Sequence, residues 1–385
     1  MPDDWQNGGF GLYIHWPFCA AKCPYCDFNS HVSAHIDQAA WKAAYLKELA
    51  RVAALTPGRV LGSVFFGGGT PSLMDPDTVA EIIHAVRGYW ATANDLEITL
   101  EANPGSVEAG RFAAYRAGGV TRISMGIQAL NDTDLRRLGR LHNTREALAA
   151  FEIARKEFDR VSFDLIYARQ DQTLTAWRDE LTQALSLAVD HLSLYQLTIE
   201  QGTAFGDRYS AGKLRGLPDE DLGADMFALT QDICGANGMP AYEVSNHARD
   251  GAWSKHNVMY WRYGDYLGIG PGAHGRITLN GRRFATECPR APGQWLRMVD
   301  NGGAELAPQA LSKSDQASEF LLMGLRMRDG IDMTRYAALS GKPLAQDALQ
   351  DLIGLGMLRQ EKSHLVVTDQ GFVVLNAVIA KLLEA

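Results

Sequence analysis

The chain has 385 residues, 46% hydrophobic and 21% charged, which supports a full core and suits one large α/β domain with an appended unit. With 37 Lys/Arg against 45 Asp/Glu, a net charge of −8, nonspecific nucleic-acid binding is excluded as the main activity. Five cysteines, an odd count with three in one tight cluster, do not make a disulfide framework and fit a reducing cytosol.

The opening MPDDWQNGG lacks the apolar core of a signal peptide, so a cytoplasmic protein is expected. Gly11 to His15 reads as a strand feeding the stretch Tyr13 to Phe28, YIHWPFCAAKCPYCDF, where Cys19, Cys23 and Cys26 follow the spacing C-x3-C-x2-C. Three thiolates packed this closely converge on a metal centre, and soft thiolates select iron–sulfur clusters, zinc or copper(I). Structural zinc wants four closed ligands, and here only His15 or His31 is at hand as a fourth, which leaves zinc open. A cubane cluster ordinarily takes four cysteines. Three would leave one iron open to a small molecule.

Beyond the cysteines, helical and β-type runs alternate. Helices are expected over Ile36 to Leu55, Asp77 to Tyr89 (capped by Asp75 or Asp77), Val107 to Ala117, Thr144 to Phe158 and Leu174 to Leu187. Strands are expected over Leu61 to Phe66, Leu96 to Leu100, Arg122 to Ile127, Arg160 to Ile166 and His191 to Ile199. Such alternation means βαβ units and a parallel sheet. Counting from Gly11 there are six strands, fewer than the eight of a full TIM barrel. Polar residues fall at or near their C-terminal ends: Gly67-Gly68-Gly69-Thr70-Pro71 after the second, then Glu101, Gln128 and Asp164, with Arg140 in a following loop. Three glycines let backbone approach a ligand without Cβ interference. Carboxylates suit the two hydroxyls of a ribose, and an arginine suits a carboxylate. Singly, each is more simply a structural polar group.

Further on, His256-Asn257-Val258-Met259-Tyr260-Trp261 joins a potential iron ligand to two flat aromatic faces. The glycine-rich turns Gly268 to Gly275 contain His274. From about Ala307 the pattern changes. Helices are expected over Ser312 to Met327 (Ser312 or Ser314 as cap, Glu319 in the early turns), Met333 to Leu339 and Leu344 to Leu355. A hairpin follows around Lys362-Ser363, then one closing helix from Asp369 to Leu383. The apolar run Phe372 to Leu383 carries Asn376 and Lys381 and is too short to span a bilayer. This winged-helix-like outline holds eight Lys/Arg and nine Asp/Glu from Ser312 to Ala385. That balance suits a lid or docking unit better than a DNA reader.

The cysteine spacing, with Tyr25 before the last cysteine, resembles the radical S-adenosylmethionine (SAM) signature. The segments GGGTP, EANP, MGIQ, LGRLHN and FDLIY resemble the HemN/HemW branch of that superfamily. The resemblance covers essentially the whole chain and implies a partial (β/α)6 TIM-like barrel over 1–245. It further implies a connecting segment over 246–306 and a C-terminal HemN-like helical and winged unit over 307–385. A [4Fe–4S] cluster on Cys19, Cys23 and Cys26 is implied, completed by SAM, with SAM contacts at Tyr13, Tyr25, Gly68, Gly69, Thr70, Glu101, Gln128, Arg140 and Asp164. Two activities occur in the branch. One is oxygen-independent coproporphyrinogen III oxidation in porphyrin biosynthesis; the other is haem binding and delivery to haem proteins, respiratory-chain proteins among the expected acceptors. The oxidases have a further cysteine where Phe28 stands, and a long segment before the cluster where eighteen residues precede Cys19 here. His256 to Trp261 matches the HNxxYW motif of the haem-chaperone family, which implies haem contacts at His256, Asn257, Tyr260 and Trp261. The expectation is therefore a haem chaperone, with the oxidase as alternative. No catalytic side chain is assigned, and a homodimer carries no sequence signature.

Overall fold

A computed structural model of the chain describes residues 3–106 and 109–384. The expected helix from Val107 begins outside these residues, and Ala109–Ala117 is helical within them. The six expected strands are Phe10–Trp16 (β1), Val60–Gly68 (β2), Ala91–Ala102 (β3), Arg122–Gln128 (β4), Arg160–Tyr167 (β5) and His191–Gln196 (β6). They pair in parallel in chain order, each crossover carrying a helix, as parallel connections require. Asp37 accepts from the Ala40 N–H, and Asn143 forms a reciprocal box with Glu146; of the two expected caps of the next helix, Asp75 holds the N-cap position without a side-chain hydrogen bond and Asp77 lies within the first turn.

The sheet extends past this unit on both sides. Asn246–Ala248 (β7) runs antiparallel to β6. Asp265–Ile269 (β8) lies parallel to β1, followed by the antiparallel strands His274–Leu279 (β9), Arg282–Glu287 (β10) and Gln309–Ala310 (β11). The stretch 246–306 thus contributes four strands to the same sheet. Helices at Asp132–Arg137, Ala204–Ser210 and Glu220–Ala236 had no counterpart in the sequence reading.

Along β4 the residues Ile123, Met125 and Ile127 are buried outward beneath the helices, while Arg122, Ser124, Gly126 and Gln128 line the interior. The other strands repeat this alternation: Tyr13 on β1, Phe65 on β2, Glu101 on β3, Asp164 on β5, and His191, Ser193 and Tyr195 on β6 face inward. Parallel strands are ordinarily apolar on both faces. Polar residues at every second position therefore mark a lumen. Its floor is closed by the short helix Lys255–Trp261. Glu97, at the N-terminal end of the inward row on β3, accepts from the Lys255 N–H at 3.0 Å and the Ser254 hydroxyl at 3.4 Å, and pairs with Arg160 at 3.2 Å.

The C-terminal unit has its own core around Phe320, Leu321, Leu349, Leu365 and Val378. Lys313–Gly324 starts at Ser312, with Asp315 completing the capping box. Glu319 instead anchors the unit to the sheet, pairing with Arg276 at 2.7 Å and accepting from the Tyr263 hydroxyl at 2.8 Å. Met333–Ser340 ends at left-handed Gly341. Leu358–Glu361 and His364–Val367 form the expected hairpin, with Ile331–Asp332 as a third strand. The closing helix is not continuous: it divides into Asp369–Val373 and Leu375–Leu383 at Val374, whose backbone leaves the helical region at φ −117°, ψ 30°. Gly371 runs so close to the Met357 carbonyl that a Cβ there would not fit.

Candidate functional site

The cysteine loop is pinned at both ends. Phe18–Cys19 pairs with His31–Val32, and the His31 N–H donates to the Pro17 carbonyl at 2.7 Å. His15, one expected alternative ligand, has both ring nitrogens engaged, Nδ1 with the Tyr13 hydroxyl and Nε2 with the Asn29 carbonyl, each at 2.9 Å. Asn29 Nδ2 donates to the Pro271 and Arg290 carbonyls, also at 2.9 Å. That ties the loop to the Gly268–Gly275 turns. His31 Nε2 is 3.2 Å from Asn29 Oδ1.

Cys19, Cys23 and Cys26 are free thiols bordering a pocket of about 140 Å³ at the barrel mouth. Burial pushes the Cys19 and Cys26 thiols up. Against this, the Thr70 hydroxyl donates to Cys19 Sγ at 3.4 Å and Arg140 Nη1 to Cys23 Sγ at 3.3 Å. A hydroxyl and a fixed cation aimed at sulfur orient the thiols toward the pocket's interior as supporting donors. Arg140 is held by the Gly126 carbonyl at 2.7 Å, with the Tyr25 hydroxyl 3.5 Å away. Among the described residues no three His, Cys, Asp or Glu side chains converge tightly enough for a single metal ion.

The opposite wall brings together Gly68, Gly69, Thr70, Glu101, Gln128, Arg140 and Asp164 from five separate segments. Gly68 has φ 110°, and a Cβ there would lie 2.6 Å from the His15 ring, so only glycine fits. Gln128 takes φ 77° at a break in the β4–β5 register; left-handed backbone in a residue with a Cβ is strain of the kind found at ligand sites. The Gly68 N–H donates to Glu101 Oε2 at 3.2 Å. Burial, then the Asp164 charge, pushes the Glu101 carboxyl up to about 8. Burial pushes Asp164 to about 6 against the pull of Ser193 and Arg122, and its Oδ1 has no hydrogen-bond partner among the described residues.

Below this pocket lies a larger cavity of about 680 Å³ that shares Phe28, Gly68, Glu101, Ser124 and Asp164 with it. Tyr13 faces this deeper space, near-parallel to His256 at 6.0 Å between ring centroids. His256 stacks on Phe65 at 4.5 Å. Burial, then Arg122, lowers its pKa to about 3, so the imidazole is neutral, and its buried Nδ1 has no partner among the described residues. Asn257, Tyr260 and His274 line the same cavity. Trp261 does not; it packs on the other side of its helix with Val258 and Met327. Sequence reasoning missed Phe65, Arg122, His191, Tyr195, Tyr266 and Arg290 on these walls, and Glu97 beneath. The signal was available for β4 and β6: RISMGIQ and HLSLYQ alternate polar with apolar residues inside strands that βαβ topology requires to be covered outside.

Residues 13–179 match the radical SAM superfamily and residues 311–374 the HemN C-terminal domain. The chain is 37% identical to the haem chaperone HemW of Escherichia coli, over 96% of each chain, and 35% identical to that of Mycobacterium tuberculosis, over 97% of this chain and 95% of the other. It is 38% identical to the mitochondrial radical SAM domain-containing protein 1 of Bos taurus, over 97% and 87%. Among solved structures, coproporphyrinogen III oxidase (HemN) of Escherichia coli superposes with a TM-score of 0.79 over 97% of this chain and 90% of that one, at 22% identity, a likeness of fold.

Proposed function

The chain belongs to the HemW branch of the radical SAM superfamily, and on that premise we propose that it is a haem chaperone. It takes up haem in the deeper barrel cavity and passes it to haem-requiring proteins, working in the cytoplasm. Cys19, Cys23 and Cys26 hold a [4Fe–4S] cluster, and SAM sits against Gly68, Gly69, Thr70, Glu101, Gln128, Arg140 and Asp164. The donor set suits both groups: three unpaired thiols, two of them facing donors, and an orphaned carboxylate oxygen beside a glycine-lined wall. When bound, such a cluster supplies one-electron reduction of SAM.

The observation that carries the haem reading is His256. A neutral imidazole whose Nδ1 has no partner among the described residues, flanked by Tyr13, Phe65 and Tyr260 in a cavity of about 680 Å³, is suited to ligate haem iron while aromatic faces cover the macrocycle. Tyr13 lies on the cavity side and so serves the haem as much as SAM. Trp261 supports the helix from behind. The cavity also suits a porphyrinogen, but Phe28 stands where the oxidases carry a further cysteine, which ranks oxidation second.

Haem titration of the purified protein beside His256→Ala, read by absorbance, tests the proposal. Saturable binding in the wild type that weakens about tenfold or more in the variant supports it. Absence of binding by a protein that retains cluster and SAM, together with conversion of coproporphyrinogen to protoporphyrinogen, overturns it.

A further inference from the structure

We propose that Arg122 and His191 form a carboxylate-binding subsite at the floor of the barrel cavity, which receives a propionate arm of the tetrapyrrole. The inference rests on the haem reading above and specifies which part of the ligand enters first.

Arg122 is the first residue of β4 and points inward at the deep end of the lumen. It is 3% exposed. Among the described residues its side chain makes one hydrogen bond, from Nη2 to the Ser162 hydroxyl at 2.7 Å. Its Nε has no partner, and no carboxylate pairs with it among the described residues. A buried guanidinium left this way is costly, because desolvation is uncompensated. Other buried arginines here do not tolerate it: Arg169 pairs with Asp134 and Glu180, Arg283 with Asp4 and Asp265. The carboxyls that share the cavity, Glu101 and Asp164, are both pushed toward their neutral forms by burial, which leaves the Arg122 charge still less balanced.

His191 stands beside it, two strands away and paired in register with Ser162. It is 1% exposed. Nε2 contacts the Tyr242 hydroxyl at 2.9 Å, while Nδ1 is unpartnered. Burial and the neighbouring cations Arg122 and Arg160 keep the ring neutral. With the Tyr242 hydroxyl donating to Nε2, Nδ1 carries the proton as a neutral donor, and the residue lines the cavity together with Arg122. Ser193, one inward position further up β6, adds a hydroxyl. A fork of N–H donors, an imidazole N–H and a hydroxyl at the closed end of an aromatic-walled cavity match a carboxylate on a flexible arm. The macrocycle then extends from this subsite across the cavity toward His256 and Tyr260. SAM also carries a carboxylate, but its expected site is the upper pocket beside Arg140, on the far side of Glu101 and Asp164.

The test compares haem with haem dimethyl ester, which keeps the metal and macrocycle and lacks both carboxylates. Each is titrated into the cluster-loaded wild type, Arg122→Gln and Arg122→Lys, with SAM affinity measured alongside. The wild type is expected to prefer haem over the ester by at least about tenfold. Arg122→Gln should lose that preference by binding haem more weakly while ester binding stays put, and Arg122→Lys should keep part of it. SAM affinity should be unchanged in both variants. Comparing the two ligands on the wild type keeps the test decisive even if a variant folds poorly. Equal binding of haem and ester by the wild type overturns the subsite and leaves the chaperone reading standing. So does a preference that survives in Arg122→Gln, or SAM affinity that falls in its place. If neither porphyrin binds, the chaperone reading itself fails and the subsite falls with it.

Discussion

Replacing Glu101 by Gln should stabilise the protein and weaken SAM binding at the same time. The carboxyl sits between the two cavities, accepts from the Gly68 N–H, and is pushed to about 8 by burial and by Asp164. Its folded value lies above its unfolded one, so the folded state binds the extra proton. Stability from this group is then greatest below about pH 4.5 and is lost as pH rises to about 8. Moving a carboxyl from 4.5 to about 8 corresponds to ~5 kcal/mol at ~1.4 kcal/mol per pH unit. Its edge meets water in the open pocket, which screens the charge and brings the expected gain at pH 8.5 to about 2 kcal/mol. The amide is isosteric and uncharged, so the variant should melt a few degrees higher at pH 8.5 and show a smaller advantage at pH 6. SAM affinity should fall about fivefold, because a hydrogen bond of ~1 kcal/mol to the ribose is lost. Anaerobic thermal melts of SAM-free protein at the two pH values, with SAM titration at pH 7.5, measure both. A variant with the wild-type pH dependence would refute the electrostatic argument, and unchanged SAM affinity would remove Glu101 from the cofactor site.

Other substitutions test other parts of the site. Cys23→Ser should abolish cluster absorbance after anaerobic reconstitution while the chain stays soluble; full iron and sulfide content in the variant would mean the ligands are misassigned. Gly68→Ala, which sets a Cβ 2.6 Å from a His15 ring held at both nitrogens, should cost about 2–3 kcal/mol in thermal or urea unfolding; a neutral result would show that the loop yields easily. Glu97→Ala removes the acceptor for the Lys255 N–H and the Ser254 hydroxyl and leaves Arg160 with Asp190 alone. It should lower stability by about 2–4 kcal/mol and weaken haem binding. Unaltered haem affinity in a destabilised variant would separate the helix from the cargo site.

Local signals carried much of this architecture. The six parallel strands and their crossovers were legible because period-two and helical patterns alternate at βαβ spacing, and the cysteine loop because three thiols twelve residues or fewer from an aromatic-rich strand have few other uses. The gathering of Glu101, Gln128, Arg140 and Asp164 on one wall was legible only through resemblance, since nothing in their separate segments fixes a common centre. Some features left little local trace. β7 is three residues long and β11 two, too short for a periodic pattern, and their pairing depends on neighbours far away in sequence. The break at Val374 falls within a segment whose own propensity is helical, so the local pattern did not announce it. Trp261 reads as one unit with Tyr260, yet adjacent residues on a helix diverge by about 100°, and here that step carries Trp261 out of the cavity that Tyr260 lines.

That divergence shows how the seven-residue helix works. Its inward side presents His256, Asn257 and Tyr260 to the lumen, while Val258, Met259 and Trp261 pack outside it. Seven residues are too few to hold a helix in water on propensity alone, so its position must come from what grips it. Ser254 caps it and Glu97 accepts from its first N–H groups. Met259 fills a notch that exists because Gly11 and Gly264 have no side chain; a Cβ at Gly11 would meet Met259 Cε at 2.1 Å. The imidazole is thus fixed by contacts lying outside the cavity it faces. This explains why HNxxYW mixes residues that face the lumen with residues that anchor the helix, and why the motif depends on a glycine, Gly11, almost 250 residues away in the chain.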